Sequence, residues 1–146
     1  MELKSKASLQ ILKPIAEVFE AIVEPNHMTQ YFISESNGRM ESGAELKWKF
    51  PEFEDVFPIT QIKVNSPSFI SFVWDTETVV EIHLEALNDK NTVVRVREKG
   101  KSLSEENLAW ALSNSAGWAN FLDCLKAYLE YGINLRKGAY DFMRKY

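Results

Sequence analysis

A chain of 146 residues is long enough for one hydrophobic core, since a domain of that length buries about 68–70% of the surface its unfolded chain exposes. With 45% hydrophobic and 26% charged residues the composition excludes intrinsic disorder, and the longest apolar runs, a few residues each, fall short of the roughly 20 that insert into a bilayer. A formal net charge of -4 offers no electrostatic footprint for nucleic acid, while a single cysteine and the lack of a charged, then apolar, opening stretch give the expectation of a cytoplasmic protein.

Residues 2–12 alternate, with Leu3, Ala7, Leu9 and Ile11 on one face and Glu2, Lys4, Lys6, Ser8 and Gln10 on the other, which predicts a strand. Pro14 opens a short helix carrying Ile15, Val18, Phe19 and Ile22 at helical spacing. Pro25 closes it and starts a second helical turn over residues 26–31, with Met28, Tyr31 and Phe32 as its buried residues. From Ile33 the punctuation becomes that of an antiparallel meander. Strands are predicted from Ile33 to the turn Glu41, Ser42, Gly43, then over residues 44–50, 58–64, 69–74, 78–87 and 92–98. Asn65, Ser66 and Pro67, then Asp75, Thr76 and Glu77, then residues 88–91 supply the later turns.

After Gly100 the period changes from 2 to 3.6. Ser104 is a predicted N-cap with Glu106 and Asn107 behind it, and one long helix runs to about Gly132. Its predicted buried stripe is Leu108, Leu112, Ser115, Ala119, Leu122, Leu125 and Leu129, widened by Ala111, Trp118 and Phe121. The pattern predicts an α+β fold in which a curved antiparallel sheet of about seven strands wraps the long C-terminal helix, with two short helices after the first strand. The expectation is one domain over residues 1–146, with a core at about 3–131 and a basic, aromatic tail at 132–146 that packs over the cavity mouth, packs against a partner or, the favoured reading, forms a short solvated helix.

Strand parity decides what faces the helix. The inner wall is Leu46, Trp48, Phe50, Ile62, Val64, Ile70, Phe72, Trp74, Val80, Ile82, Leu84, Val94 and Val96, opposite Trp118, Phe121, Leu122 and Leu125. Arg95, Arg97 and His83 point outward. Two readings stay open: the wall close-packs as an ordinary core, or sheet curvature leaves a cavity for an apolar ligand. The cavity reading selects Trp48, Phe50, Phe72, Trp74, Ile82, Leu84, Val96, Glu98, Trp118, Phe121 and Leu122. Glu98 is the one ionisable group on the inner parity, and at a strand end it is expected to be solvated.

Signatures of the commoner chemistries are missing: no G-x-S-x-G, H-E-x-x-H, paired C-x-x-C, G-x-G-x-x-G or G-x-x-x-x-G-K occurs. No catalytic residue, metal ligand or cofactor is therefore assigned. His27 and His83 read as solvated, Cys124 as a small apolar filler at the flank of the helix stripe, and Glu52, Glu54 and Asp55 as a solvated acidic loop.

The local wording resembles the SRPBCC/START-like superfamily and, more narrowly, the family of the activator of the ninety-kilodalton heat-shock chaperone's ATPase. The resemblance rests on Val18, Phe19, Glu20, Ala21 and Ile22 running into Glu24 and Pro25, and on Tyr31 and Phe32. It continues with Gly43 before Leu46, Lys47 and Trp48, with Ser66 and Pro67 before residues 70–74, and with Gly117 and Trp118 before Leu122, Leu125 and Leu129. It implies a helix-grip fold with a mostly apolar cavity under the C-terminal helix. It also implies one of several uses: a non-catalytic module holding a small hydrophobic molecule, a co-chaperone that stimulates a chaperone ATPase, or a cyclase- or hydrolase-type enzyme, for which strand parity would offer Glu98 or a neighbouring polar group as general base. The eukaryotic namesakes' additional N-terminal domain is not expected here.

Overall fold

Alternation of small or apolar with charged residues makes β1 (Glu2–Ile11), which buries Ser5 and Ile11 and half-buries Leu3, Ala7 and Leu9. The computed structural model describes residues 1–75 and 78–144, so most of the turn expected at Asp75, Thr76 and Glu77 lies outside the described residues, as does Lys145. After β1 come α1 (Ile15–Val23) and α2 (Pro25–Met28), then β2 (Glu35–Ser36), β3 (Leu46–Lys49), β4 (Phe57–Asn65) and β5 (Phe69–Asp75). β6 (Thr78–Ala86), β7 (Thr92–Ser102), α3 (Glu105–Tyr131) and a 3-10 turn, Asp141–Met143, complete the described chain. The seven strands form one antiparallel sheet in the order β1-β7-β6-β5-β4-β3-β2.

Curvature comes from irregularities the alternation does not reveal. β4 pairs through its first half with β3 and through its second half with β5, and the change of register falls between Thr60 and Lys63, where Gln61 takes φ 50°. A second shift leaves Trp74 as the extra residue between Val73 and Asp75. A third sits at Gly100, the residue between Lys99, which pairs with Lys4, and Lys101, which pairs with Leu3. Its φ of 130° is open to glycine and strained for other residues, so the strand continues through a bulge where the sequence suggested a stop. β7 consequently runs four residues past Glu98.

α3 begins where Ser104 Oγ accepts the Asn107 N–H (3.0 Å) and ends where Gly132 adopts φ 68°, with its N–H on the Ala127 and Tyr128 carbonyls. The helix covers the free edge of β1. Ser5 Oγ donates to the Ala111 carbonyl (3.0 Å), the Lys6 N–H to Ser115 Oγ (3.3 Å), and the Leu12 N–H to Glu130 Oε2 (2.9 Å). Lys126 Nζ reaches the Gln10 carbonyl (2.9 Å) and Glu130 (2.6 Å).

The buried face of α3 is Ala111, Trp118, Phe121, Leu122, Cys124 and Leu125. This corrects the predicted stripe in the first half of the helix, where Leu108 and Leu112 are 46% and 67% exposed and Ala119 is exposed as well. The inward seam there passes through Ala111, half-buried Asn114 and Ser115, and Trp118, because the helix meets polar backbone of β1 and the Glu98 carboxylate. Among the described residues no helix is long and apolar enough to cross a membrane.

Candidate functional site

Glu98 stands on the inner parity of β7 and is completely buried, so its expected solvation is wrong. The bulge at Gly100 carries the strand beyond it and places it mid-strand. Both oxygens are fully engaged. Oε1 accepts from Asn114 Nδ2 (2.9 Å) and Trp118 Nε1 (2.9 Å), and Oε2 accepts from Trp74 Nε1 (3.0 Å) and Thr78 Oγ1 (2.8 Å). A carboxylate has about four lone-pair positions, and here each has a donor. The group ties β5, β6, β7 and α3 together, and it has no free lone pair with which to take a substrate proton as a general base.

Beside this anchor lies an open cleft, described by two overlapping depressions of about 500 and 490 Å³. Trp74 and Trp118, with centroids 5.4 Å apart, form its inner wall with Asn114. Phe32, Phe50 and Phe53 line the opposite side, and Phe57 and Trp110 extend the second lobe. These rings arrive from different elements: α2's following turn, the β3–β4 loop, β4, β5 and α3.

The tail closes the remaining side, packing over the mouth of the cleft, the alternative to the favoured solvated helix. Gly132 turns the chain off α3, and Arg136 forms a two-pronged pair with Glu52, Nη1 to Oε1 at 2.7 Å and Nη2 to Oε2 at 3.1 Å. The two side chains are 11% and 4% exposed. The guanidinium also lies 5.3 Å from the Phe50 ring centre and 4.9 Å from that of Tyr140. Tyr140 Oη donates to Asn120 Oδ1 (3.0 Å), and Met143 reaches the cleft. Glu52 is thereby withdrawn from the solvated acidic loop in which Glu54 and Asp55 remain exposed. Nothing in the sequence pairs Arg136 with Glu52 across 84 positions.

The residues singled out from the sequence divide into two groups. Phe50, Trp74, Glu98 and Trp118 line the cleft. Trp48, Phe72, Ile82, Leu84, Val96, Phe121 and Leu122 are at most 4% exposed and belong to the close-packed core beneath it. The rings of that core meet mostly edge-on, with Phe32 and Phe121 at 4.7 Å and Trp48 and Phe72 at 5.4 Å. Asn114, Glu52, Arg136 and Tyr140 were missed. Asn114 lies off the predicted stripe, on the seam the helix presents to Glu98, and the others lie in segments without periodicity.

His27 is half-buried, with Nδ1 2.6 Å from Tyr128 Oη, which corrects its reading as a solvated group. Cys124 is buried, and desolvation pushes its thiol up against the opposing pull of Arg136. Among the described residues no group of three or more His, Cys, Asp or Glu is placed to hold a metal ion.

Residues 13–130 match the family described as Activator of Hsp90 ATPase homolog 1-like protein. Among solved structures, protein SSP2350 from Staphylococcus saprophyticus is 28% identical with a TM-score of 0.80, over 92% of this chain and 96% of that one. DynU16, from the dynemicin biosynthetic locus, is 24% identical with a TM-score of 0.77, over 90% of this chain and 48% of that one. The Aha1 dimer from Colwellia psychrerythraea is 17% identical with a TM-score of 0.74, over 89% and 98%. The last two are likenesses of fold. No curated protein matches. The match covers most of the chain, and its order of elements is the helix-grip arrangement described above: the chain belongs to the Activator of Hsp90 ATPase homolog 1-like protein family.

Proposed function

We propose that this protein is a non-catalytic module that binds one small, largely apolar molecule in the cleft between α3, the β3–β4 loop and the tail. The observation that carries the reading is an aromatic-walled cleft of about 500 Å³ beside an otherwise close-packed core, within the range of small-molecule sites. Trp74 and Trp118 present ring surface held in place through their indole N–H groups on Glu98, so the wall is rigid before a ligand arrives. Asn114, Glu52 and Arg136 supply a few fixed polar groups at the rim.

Native mass spectrometry of the purified protein, followed by denaturing extraction, tests this. A stoichiometric small molecule, or saturable quenching of tryptophan emission by the neutral dye N-phenyl-1-naphthylamine that Trp74→Ala removes, is the expected result. A clean apo mass together with no saturable quenching would overturn it.

The family match favours a second reading, stimulation of a chaperone ATPase. Titrating purified ninety-kilodalton chaperone with this protein and finding no change in ATP turnover would remove that reading.

A further inference from the structure

The outer face of the sheet gathers positive charge that the chain as a whole does not have. Cross-strand register sets Lys4 opposite Lys99, Lys6 opposite Arg97, and Ser8 opposite Arg95 on the β1–β7 pair, while β6 places His83 opposite Arg95 and Glu81 opposite Arg97. Five cations, Lys4, Lys6, Arg95, Arg97 and Lys99, thus share one face with three acids, Glu2, Glu81 and Glu85, on a chain of formal net charge -4. Glu85 pairs with Arg95 (2.9 Å) and Glu81 with Lys99 (3.2 Å). Among the described residues Lys4, Lys6 and Arg97 take part in no ion pair.

Like charges directly opposite one another on a sheet are destabilising, and here two such pairs, Lys4 with Lys99 and Lys6 with Arg97, occur in succession. Between them and β6 lies a depression of about 520 Å³ lined by Lys6, Ser8, His83, Arg95 and Arg97, with Ala7 and Val96 between them. The ammonium of Lys6, the hydroxyl of Ser8 and the guanidinium of Arg97 line it together with Arg95, whose Nη1 is held by Glu85, and guanidinium, ammonium and hydroxyl are the donors that suit a tetrahedral oxyanion.

We infer that this outer-face depression binds a phosphoryl group, carried by a soluble phosphomonoester or by a phospholipid headgroup, through Lys6, Arg95, Arg97 and Ser8. The site lies on the opposite face of the sheet from the apolar cleft and does not depend on that cleft being occupied. The anion relieves the repulsion that the register builds in, and its recognition weakens as salt rises because Lys4, Lys6 and Arg95 are exposed.

The test is a titration of the full, nitrogen-15-labelled chain with glycerol phosphate at constant ionic strength, read by amide chemical shifts. Saturable shifts are expected at residues 6–8, 83 and 95–97, weakened at least fivefold by Lys6→Gln, at an exposed position, and by Arg97→Gln, at a half-buried one, with the remaining spectrum left in place. Cosedimentation with phosphatidic acid vesicles would name the lipid headgroup as the source, and its absence beside retained glycerol phosphate binding would name the soluble ester. Linear shifts spread over all surface lysines would overturn the inference. So would a hexaglutamate peptide that binds the same residues more tightly than the phosphate, which would make the face a dock for acidic protein.

Discussion

Replacing Glu98 by leucine tests the reading of this carboxylate as the anchor of the fold. The change leaves four donors without their acceptor, and two of them belong to Thr78 and Trp118, which are 1% and 4% exposed. A buried donor left unsatisfied costs about 1–3 kcal/mol, so these two together cost about 2–6 kcal/mol. Trp74 and Asn114 are half-buried at the cleft, where water replaces the lost acceptor and their contribution is small. Relief from no longer burying a carboxylate offsets part of the loss. Glu98→Gln keeps the shape but turns an NH₂ toward two of the donors, and is expected to cost about 1–3 kcal/mol. The assay is urea unfolding followed by far-ultraviolet circular dichroism, since two of the tryptophans are themselves perturbed. A midpoint lowered by roughly 1 M or more is expected for leucine. A loss below about 0.5 kcal/mol for both variants, no more than an ordinary surface change gives, would refute the network as a source of stability.

Arg136→Ala leaves the 4% exposed Glu52 without its partner and is expected to release the tail, seen as faster amide hydrogen exchange over residues 133–144, with exchange in β6 and β7 unchanged. Adding Glu52→Gln to that variant should recover part of the stability lost, because no uncompensated carboxylate then remains. For Glu130, burial raises the pKa but is outweighed by the Leu12 N–H and Lys126, so the folded value lies below the ordinary 4.5. Its stabilising effect is therefore complete above that value and is lost as pH falls through the lowered one, and Glu130→Gln should flatten that part of a stability–pH curve measured by thermal unfolding. Leu122→Ala, at 1% exposure, should cost about 2–5 kcal/mol in urea unfolding, whereas Leu112→Ala, at 67%, should cost less than about 0.5 kcal/mol; equal costs would restore the stripe expected from periodicity.

The sheet strands and the long helix were legible because each has its own local signal. Trp48 alternates with Lys47 and Lys49, Ser104 caps, and Gly132 stops the helix by taking a left-handed conformation. Periodicity misplaced the first half of the α3 stripe because leucine there is solvent-facing, and the seam is occupied by residues that serve Glu98 and the edge of β1. Gly100 reads as a terminator in the sequence because a bulge and a strand end use the same residue for the same conformational reason.

By itself the sequence determined the element order, the inner parity of the strands and the aromatic character of what faces the helix, since these depend on contacts two to four residues apart. The cleft, the four donors on Glu98, the Glu52–Arg136 closure and the paired cations of the outer face were decided only by the tertiary structure. Each joins residues distant in the chain, through bulges and register shifts whose energies differ too little locally to leave a mark in the amino-acid pattern.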